Sequence, residues 1–144
     1  TFTKARSLEE VRIFDIDPAR ITSFIKEVES MATSKGARLV HATSADEAID
    51  GADVITTVTT SKKPVFAGSL VKKGAHINGI GAFTPEMAEL DPELLLRTDK
   101  IFIDNRDAVF SEAGDFIQPI EAGILKEEKI SGCEDNAREI ELPP

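Results

Sequence analysis

Short apolar runs alternating with helix signals predict an α/β fold in which a mostly parallel, doubly wound sheet is covered on both faces. Three observations carry that expectation. Five β-rich runs are spread along 144 residues, helix-start or turn signals follow most of them, and one run, AHINGI at residues 75–80, is small and apolar enough for burial on both faces. A chain of 144 residues, 41% hydrophobic and 30% charged, suits one compact domain and leaves no room for a second full one.

Val11, Ile13 and Phe14 make the first β-rich run, which ends at Asp15 and meets the helix-start signal Asp17-Pro18. Ile21, Phe24, Ile25 and Val28 fall at helical spacing, so an amphipathic helix is expected over residues 18–34, stopping near Gly36. RLVHA at residues 38–42 is the second strand. Ser44, with Glu47 three residues later, reads as a capping box for a short helix over residues 45–49 that Gly51 ends. DVITTVT at residues 53–59 is the third strand, Ser61-Lys62-Lys63-Pro64 a loop, and residues 69–73 a polar link to Gly74. After the fourth strand, at residues 75–80, Thr84-Pro85 is expected to open a helix, and Asp91-Pro92 a further helical turn through Arg97. KIFID at residues 100–104 is the fifth strand. Residues 108–114 are helical in composition, residues 120–130 read as a short helix and turn, and residues 133–144 as a polar tail ending in Pro143-Pro144. No internal repeat is present.

The net charge of −9 and pI near 4.7 argue against nucleic acid and anionic membrane surfaces, which both require a positive footprint, and favour a small-molecule partner. Cys133 is the only cysteine, which excludes an internal disulfide and a cysteine-rich zinc site and fits a reducing compartment. His41 and His76 lie in different segments, and the acidic residues Glu112 and Asp115 have no histidine at ligand spacing, so no metal site is expected. With no apolar run of membrane-spanning length and no signal-like start, the cytoplasm is the expected location. The chain begins at Thr1 rather than Met, as a processed product or fragment would.

Sheets of this kind bind ligands at the carboxyl ends of their strands, which directs attention to Asp15, residues 57–61, residues 78–83 and residues 104–106. A carboxylate at Asp15 has the chemistry to accept both ribose hydroxyls of an adenosine and to repel a 2'-phosphate, which would favour NAD over NADP. An Asx turn or helix cap built by Asp15 and Asp17 is the competing reading, and Arg20 is close enough in sequence to weaken the selectivity argument. Thr56, Thr57, Thr59 and Thr60 give the third strand an unusual density of hydroxyls; threonine is also a good strand former, and Thr60-Ser61 is the pair best placed to touch a ligand. From Asn78 to Gly81 the glycines let backbone approach a flat ring and Asn78 supplies an amide, although a tight turn leaving a buried strand needs the same residues. Lys62-Lys63 and Lys72-Lys73 read as solvated loops, and Met87 and Leu90 as packing against the sheet.

Four stretches in this order resemble the NAD-binding domain of the ornithine cyclodeaminase/mu-crystallin family: VRIFDIDPAR at 11–20, SADEAIDGADVITTVTTSKKPVF at 44–66, KKGAHINGIGAFTPEMAELDPELL at 72–95 and IFIDNRDAVFSEAGD at 101–115. Within the third, the order of Asn78, Gly79, Gly81, Pro85 and Glu89 is the most telling. The resemblance implies a Rossmann-like doubly wound, mostly parallel sheet, lacking the usual first strand and its glycine-rich turn, over residues 1–132, with residues 133–144 as the tail. It implies that Asp15 binds the adenosine ribose of NAD(H), preferred over NADP(H). Thr59, Thr60 and Ser61 would lie along the cofactor, and Asn78, Gly79, Ile80 and Gly81 would support the nicotinamide. It also implies a small amino or imino acid as substrate and a homo-oligomer.

Phe83 stands where ornithine cyclodeaminases carry an aspartate that acts on the substrate amine, and a phenyl ring neither takes a proton nor attracts an ammonium group. The resemblance therefore points to reduction of a cyclic imine, a ketimine or Δ1-pyrroline-2-carboxylate, rather than to deamination of ornithine to proline and ammonia. The missing first strand leaves unpaired inner edges, so the isolated chain is expected to be catalytically inert. The alternatives are a non-catalytic remnant or binding module of the same fold, a true ornithine cyclodeaminase, and a different doubly wound nucleotide or phosphate binder.

Overall fold

The computed structural model describes residues 8–132; the predicted tail, Cys133 and the segment ahead of residue 8 lie outside them. The described residues divide into two compact units, with the boundary between Ala52 and Asp53.

The first unit is a β-α-β-α run: β1 (Glu10–Ile13), α1 (Pro18–Ser34), β2 (Arg38–His41) and α2 (Ala45–Ile49). β1 and β2 pair in parallel, with Glu10 opposite Arg38 and Ile13 opposite His41. The Asp17 carboxylate accepts the Ala19 N–H at 2.9 Å and Pro18 occupies the first turn, where a missing N–H costs nothing. Helix α1 ends where Gly36 takes φ 74°, a left-handed value that a side chain disfavours. Ile21 is the best-buried residue of that helix, Ile25 and Val28 are half-buried, and Phe24 is exposed. At α2 the Ser44 hydroxyl accepts the Glu47 N–H at 3.1 Å, but the Glu47 carboxylate reaches back to the N–H and hydroxyl of Thr43 rather than to Ser44. Those donors, the Thr43 hydroxyl first, hold Glu47 below the usual carboxylate range.

The second unit carries two further parallel pairs. β3 (Val54–Thr57) pairs with β4 (His76–Gly79), and β5 (Ile101–Ile103) with β6 (Ile130–Gly132). A 3-10 turn at Gly68–Leu70 and the helices α3 (Pro92–Arg97), α4 (Arg106–Glu112) and α5 (Gly114–Glu121) fill the connections. Asp91 both caps α3, accepting the Glu93 N–H at 2.9 Å, and accepts the Gly68 N–H at 2.8 Å, so one carboxylate ties helix to turn. Ile55, Phe66, Val71, Leu90, Leu94, Leu95, Ile101, Ile103, Leu125 and Ile130 form the buried core of this unit.

All three described ladders are parallel, as expected for this class. Three local expectations are corrected. Thr84-Pro85 opens no helix: the Met87 N–H closes a turn on the Thr84 carbonyl at 3.0 Å, and residue 88 then joins a single bridge to Lys62. β4 is not buried on both faces; Ile77 and Asn78 are half-buried and His76 and Gly79 exposed. The turn expected within residues 120–130 is followed by a sixth strand, β6, only three residues long.

Candidate functional site

At the carboxyl end of β1, Asp15 lines an open groove of about 510 Å³ together with Ile13, Phe14, Arg20, Ile21 and Phe24. One carboxylate oxygen of Asp15 accepts the Asp17 N–H at 2.8 Å, which is the Asx turn, and Asp17 in turn caps α1. The turn does not consume the other oxygen, so turn formation and ligand capture are compatible at this residue. Arg20 shares the groove, but its guanidinium lies 3.6 Å from Asp17 as an exposed ion pair.

In the second unit the carboxyl ends of β3 and β4 carry the remaining predicted residues. Thr59, Thr60 and Ser61 form a loop that hydrogen-bonds to itself: the Ser61 N–H donates to the Thr59 hydroxyl at 3.2 Å, and the Ser61 hydroxyl to the Lys63 carbonyl at 2.6 Å. Asn78 sits back from the strand end, its side chain bonded to the Thr56 hydroxyl at 3.3 Å and to the His76 ring at 3.1 Å. Those bonds occupy Asn78 within the sheet face. Gly79, Ile80 and Gly81 do lie at the strand end, with Ile80 63% exposed and Phe83 58% exposed. Val58, at the matching point of β3, is exposed as well.

Glu89 organises these two strand ends, and sequence reasoning assigned it no such role. Its side chain is fully buried at 0% exposure. One carboxylate oxygen accepts the Thr57 hydroxyl at 3.0 Å and the Gly81 N–H at 2.7 Å, while the other accepts the Thr59 N–H. Asp115, also buried, accepts the backbone N–H groups of Glu89 and Leu90 at 2.7 and 2.8 Å, which fixes the segment that delivers the Glu89 side chain. Burial pushes the Asp115 carboxyl above its ordinary range; the two N–H donors oppose the shift, and the charge of Glu89 adds to it. Gly81 leaves no room for a side chain, since a Cβ there would meet the Thr59 carbonyl oxygen at 2.1 Å and the Glu89 carboxyl carbon at 2.7 Å. The available signal for Glu89 was a carboxylate set inside the otherwise apolar run Met87, Ala88, Leu90.

At the end of β5, Asp104 and Asn105 are taken up by the helix start: Asn105 accepts the Ala108 N–H at 2.9 Å, and Asp104 the Asn105 N–H at 2.8 Å. Arg106 lies over the Phe110 ring, 4.6 Å from its centre, and 3.5 Å from Glu127. Among the described residues no group of three histidine, cysteine, aspartate or glutamate side chains is placed to hold a metal ion. No helix among them is long and apolar enough to cross a membrane.

The model of the ornithine cyclodeaminase/mu-crystallin family matches residues 1–135. Ketimine reductase mu-crystallin of Macropus fuliginosus is 40% identical over 116 residues, covering 81% of this chain and 34% of the relative. Delta(1)-pyrroline-2-carboxylate reductase of Bacillus thuringiensis is 32% identical over 121 residues, covering 84% and 36%. The solved structure of Thermococcus litoralis Delta(1)-pyrroline-2-carboxylate reductase, in complex with NADH and L-proline, superimposes with a TM-score of 0.80 at 30% identity, over 91% of this chain and 39% of that one. The fold is thus Rossmann-like, and the chain spans little more than a third of the length of these proteins.

Proposed function

Because this chain belongs to the ornithine cyclodeaminase/mu-crystallin family, we propose that it is the nucleotide-binding portion of an NAD(H)-dependent reductase of cyclic imines, a ketimine or Δ1-pyrroline-2-carboxylate. The observation that carries the reaction class is Phe83: at the strand end there is an exposed phenyl ring in place of a proton-carrying carboxylate. A reduction needs no group at that point to take a proton from a substrate amine.

The residues present fit the cofactor at each end separately. Asp15, beside the apolar walls of Phe14, Ile21 and Phe24, suits the ribose and adenine of an adenosine, and a carboxylate there disfavours a 2'-phosphate. Among the described residues Arg20, held toward Asp17, is the one cation lining that groove, so NAD(H) is the preferred form in this proposal. Thr59, Thr60 and Ser61 supply hydroxyls and backbone along the dinucleotide. Gly79, Ile80 and Gly81 supply a small apolar edge for the nicotinamide, with Val58 alongside; the bound cofactor provides the hydride. Asn78 is proposed to stiffen that edge from behind rather than to touch the ring. The parent protein is proposed to be a homo-oligomer, since a dimeric archaeal alanine dehydrogenase superimposes with a TM-score of 0.77 at 27% identity.

Calorimetric titration of the native protein with NADH and NADPH tests the binding half: NADH is expected to bind more tightly, and absence of binding by either would overturn the reading. For the chemistry, Phe83→Asp is expected to leave imine reduction within about tenfold of wild type. A loss of roughly a hundredfold or more, the scale of a removed acid–base group, would mean that the reductase depends on the phenyl ring itself and would overturn the reading of this position as one where no chemical group is needed.

A further inference from the structure

The β3–β4 ladder is interrupted at a defined point, and a side chain performs the interruption. The last regular bond runs from the Ile80 N–H to the Thr57 carbonyl at 3.0 Å. In a parallel ladder the next would run from the Thr59 N–H to the Ile80 carbonyl. Instead the Thr59 N–H donates to Glu89, and the Gly81 N–H donates to the other oxygen of the same carboxylate. A trans peptide holds its N–H and C=O antiparallel. With the N–H groups of Thr59 and Gly81 turned to the buried carboxylate, the carbonyls of the same peptide units, Val58 and Ile80, point away from it. Both belong to exposed residues at the strand ends.

We infer that Glu89 is a positioning residue that converts this strand end from a self-satisfied ladder into an outward-facing pair of acceptors, and that the group they select is the carboxamide NH₂ of the nicotinamide. The inference rests on the nucleotide-binding reading above. It adds the reason a carboxylate must be buried here: three donors, Thr57 Oγ, Thr59 N and Gly81 N, need one acceptor group of two oxygens, and neither an amide nor an apolar side chain supplies it. Gly81 is required for the same arrangement, since a Cβ would occupy the place of the Thr59 carbonyl and press on the Glu89 carboxyl.

The test compares binding of NADH and of its reduced 3-acetylpyridine analogue, which keeps the ring and carbonyl but has no N–H to donate, to the native protein and to its Glu89→Gln and Thr57→Val variants. NADH is expected to bind wild type roughly fivefold or more tightly than the analogue, the scale of one net hydrogen bond. Glu89→Gln is expected to bring that ratio toward one, and Thr57→Val to reduce it less. Wild type that binds both dinucleotides equally overturns the inference while leaving the binding reading intact; wild type that binds neither overturns both. A Glu89→Gln variant that weakens both ligands with the ratio preserved shows a merely structural role and also overturns it. Amide hydrogen exchange gives a ligand-free readout on the same proteins. Slow exchange at Thr59 and Gly81 in wild type, accelerated at both by Glu89→Gln, is expected, and unchanged exchange at both would refute the brace.

Discussion

The strand end at Asp15 and the strand end at Gly81 are built by opposite means. At Asp15 everything is local and solvent-facing: an Asx turn two residues long leads directly into the Asp17 cap of α1, and the groove lies open beside it. At Gly81 the ordering group comes from Glu89, thirty residues from Thr59 along the chain, and is fully buried. Local turns are cheap to form and lose little when one bond is removed. A buried carboxylate shared by three donors is costly to disturb, because the Thr57 hydroxyl and the Gly81 N–H that it would leave behind are buried.

That contrast fixes the order of expected effects. Gly81→Ala should damage the fold most, because its Cβ would sit 2.1 Å from the Thr59 carbonyl oxygen, with backbone on one side and the Glu89 carboxyl on the other. Neither neighbour is a flexible side-chain tip. A loss at or above the top of the ~1–3 kcal/mol range for overpacked sites is expected in urea denaturation. A loss below about 0.5 kcal/mol, within the range of ordinary surface substitutions, would mean that the two strand ends separate easily and that the brace is weak.

Asp17→Ala should cost about 1 kcal/mol, the ordinary penalty for an N-cap, and should leave Gly81 and its neighbours unaffected. Asp15→Ala should cost less, since it removes a single exposed bond to the Asp17 N–H. Thermal unfolding of the two variants side by side measures the difference. If Asp17→Ala cost as much as Gly81→Ala, the proposed division between a local and a long-range strand end would be wrong.

The same division explains what could be read from the sequence. Asp17-Pro18, Ser44 with Glu47, and Asp91-Pro92 each announce a helix through bonds made within a few residues, and α1, α2 and α3 begin where those signals stand. Thr84-Pro85 carries a similar signal and fails, because the N–H groups that a helix would use are claimed from afar: residue 88 by Ser61, Glu89 and Leu90 by Asp115. β6 was missed because three residues, Ile130–Gly132, hold no periodicity, and their strand character comes from pairing with Ile101–Ile103. Of the candidate site, the Asx turn at Asp15 was legible from local spacing, and Gly79 and Gly81 stand at and just past the end of β4. The Asn78 amide is held by Thr56 on the neighbouring strand and by His76, a pairing that no local signal announces.

The smallest effect expected concerns Asp115, and its sign is fixed by burial. Its carboxyl lies above the ordinary range in the folded chain, chiefly because burial disfavours the charged form. A carboxyl raised on folding is more easily kept protonated in the native state, so the unfolded chain releases its proton first as pH rises. The contribution to stability is therefore fully present below the ordinary carboxylate range and is lost as pH rises through the raised folded value. Asp115→Asn keeps an acceptor oxygen for the Glu89 and Leu90 N–H groups and removes the titration. Its stability relative to wild type should move in favour of the variant between strongly acidic pH and neutrality, and taking the difference between the two proteins cancels the shared carboxylates that lie away from Asp115. A difference that is flat with pH would mean that the two N–H donors offset burial at Asp115, and one that moves toward wild type would mean that they outweigh it. The carboxylate would then be anchoring the Glu89 segment as a charge rather than tolerating its surroundings as one.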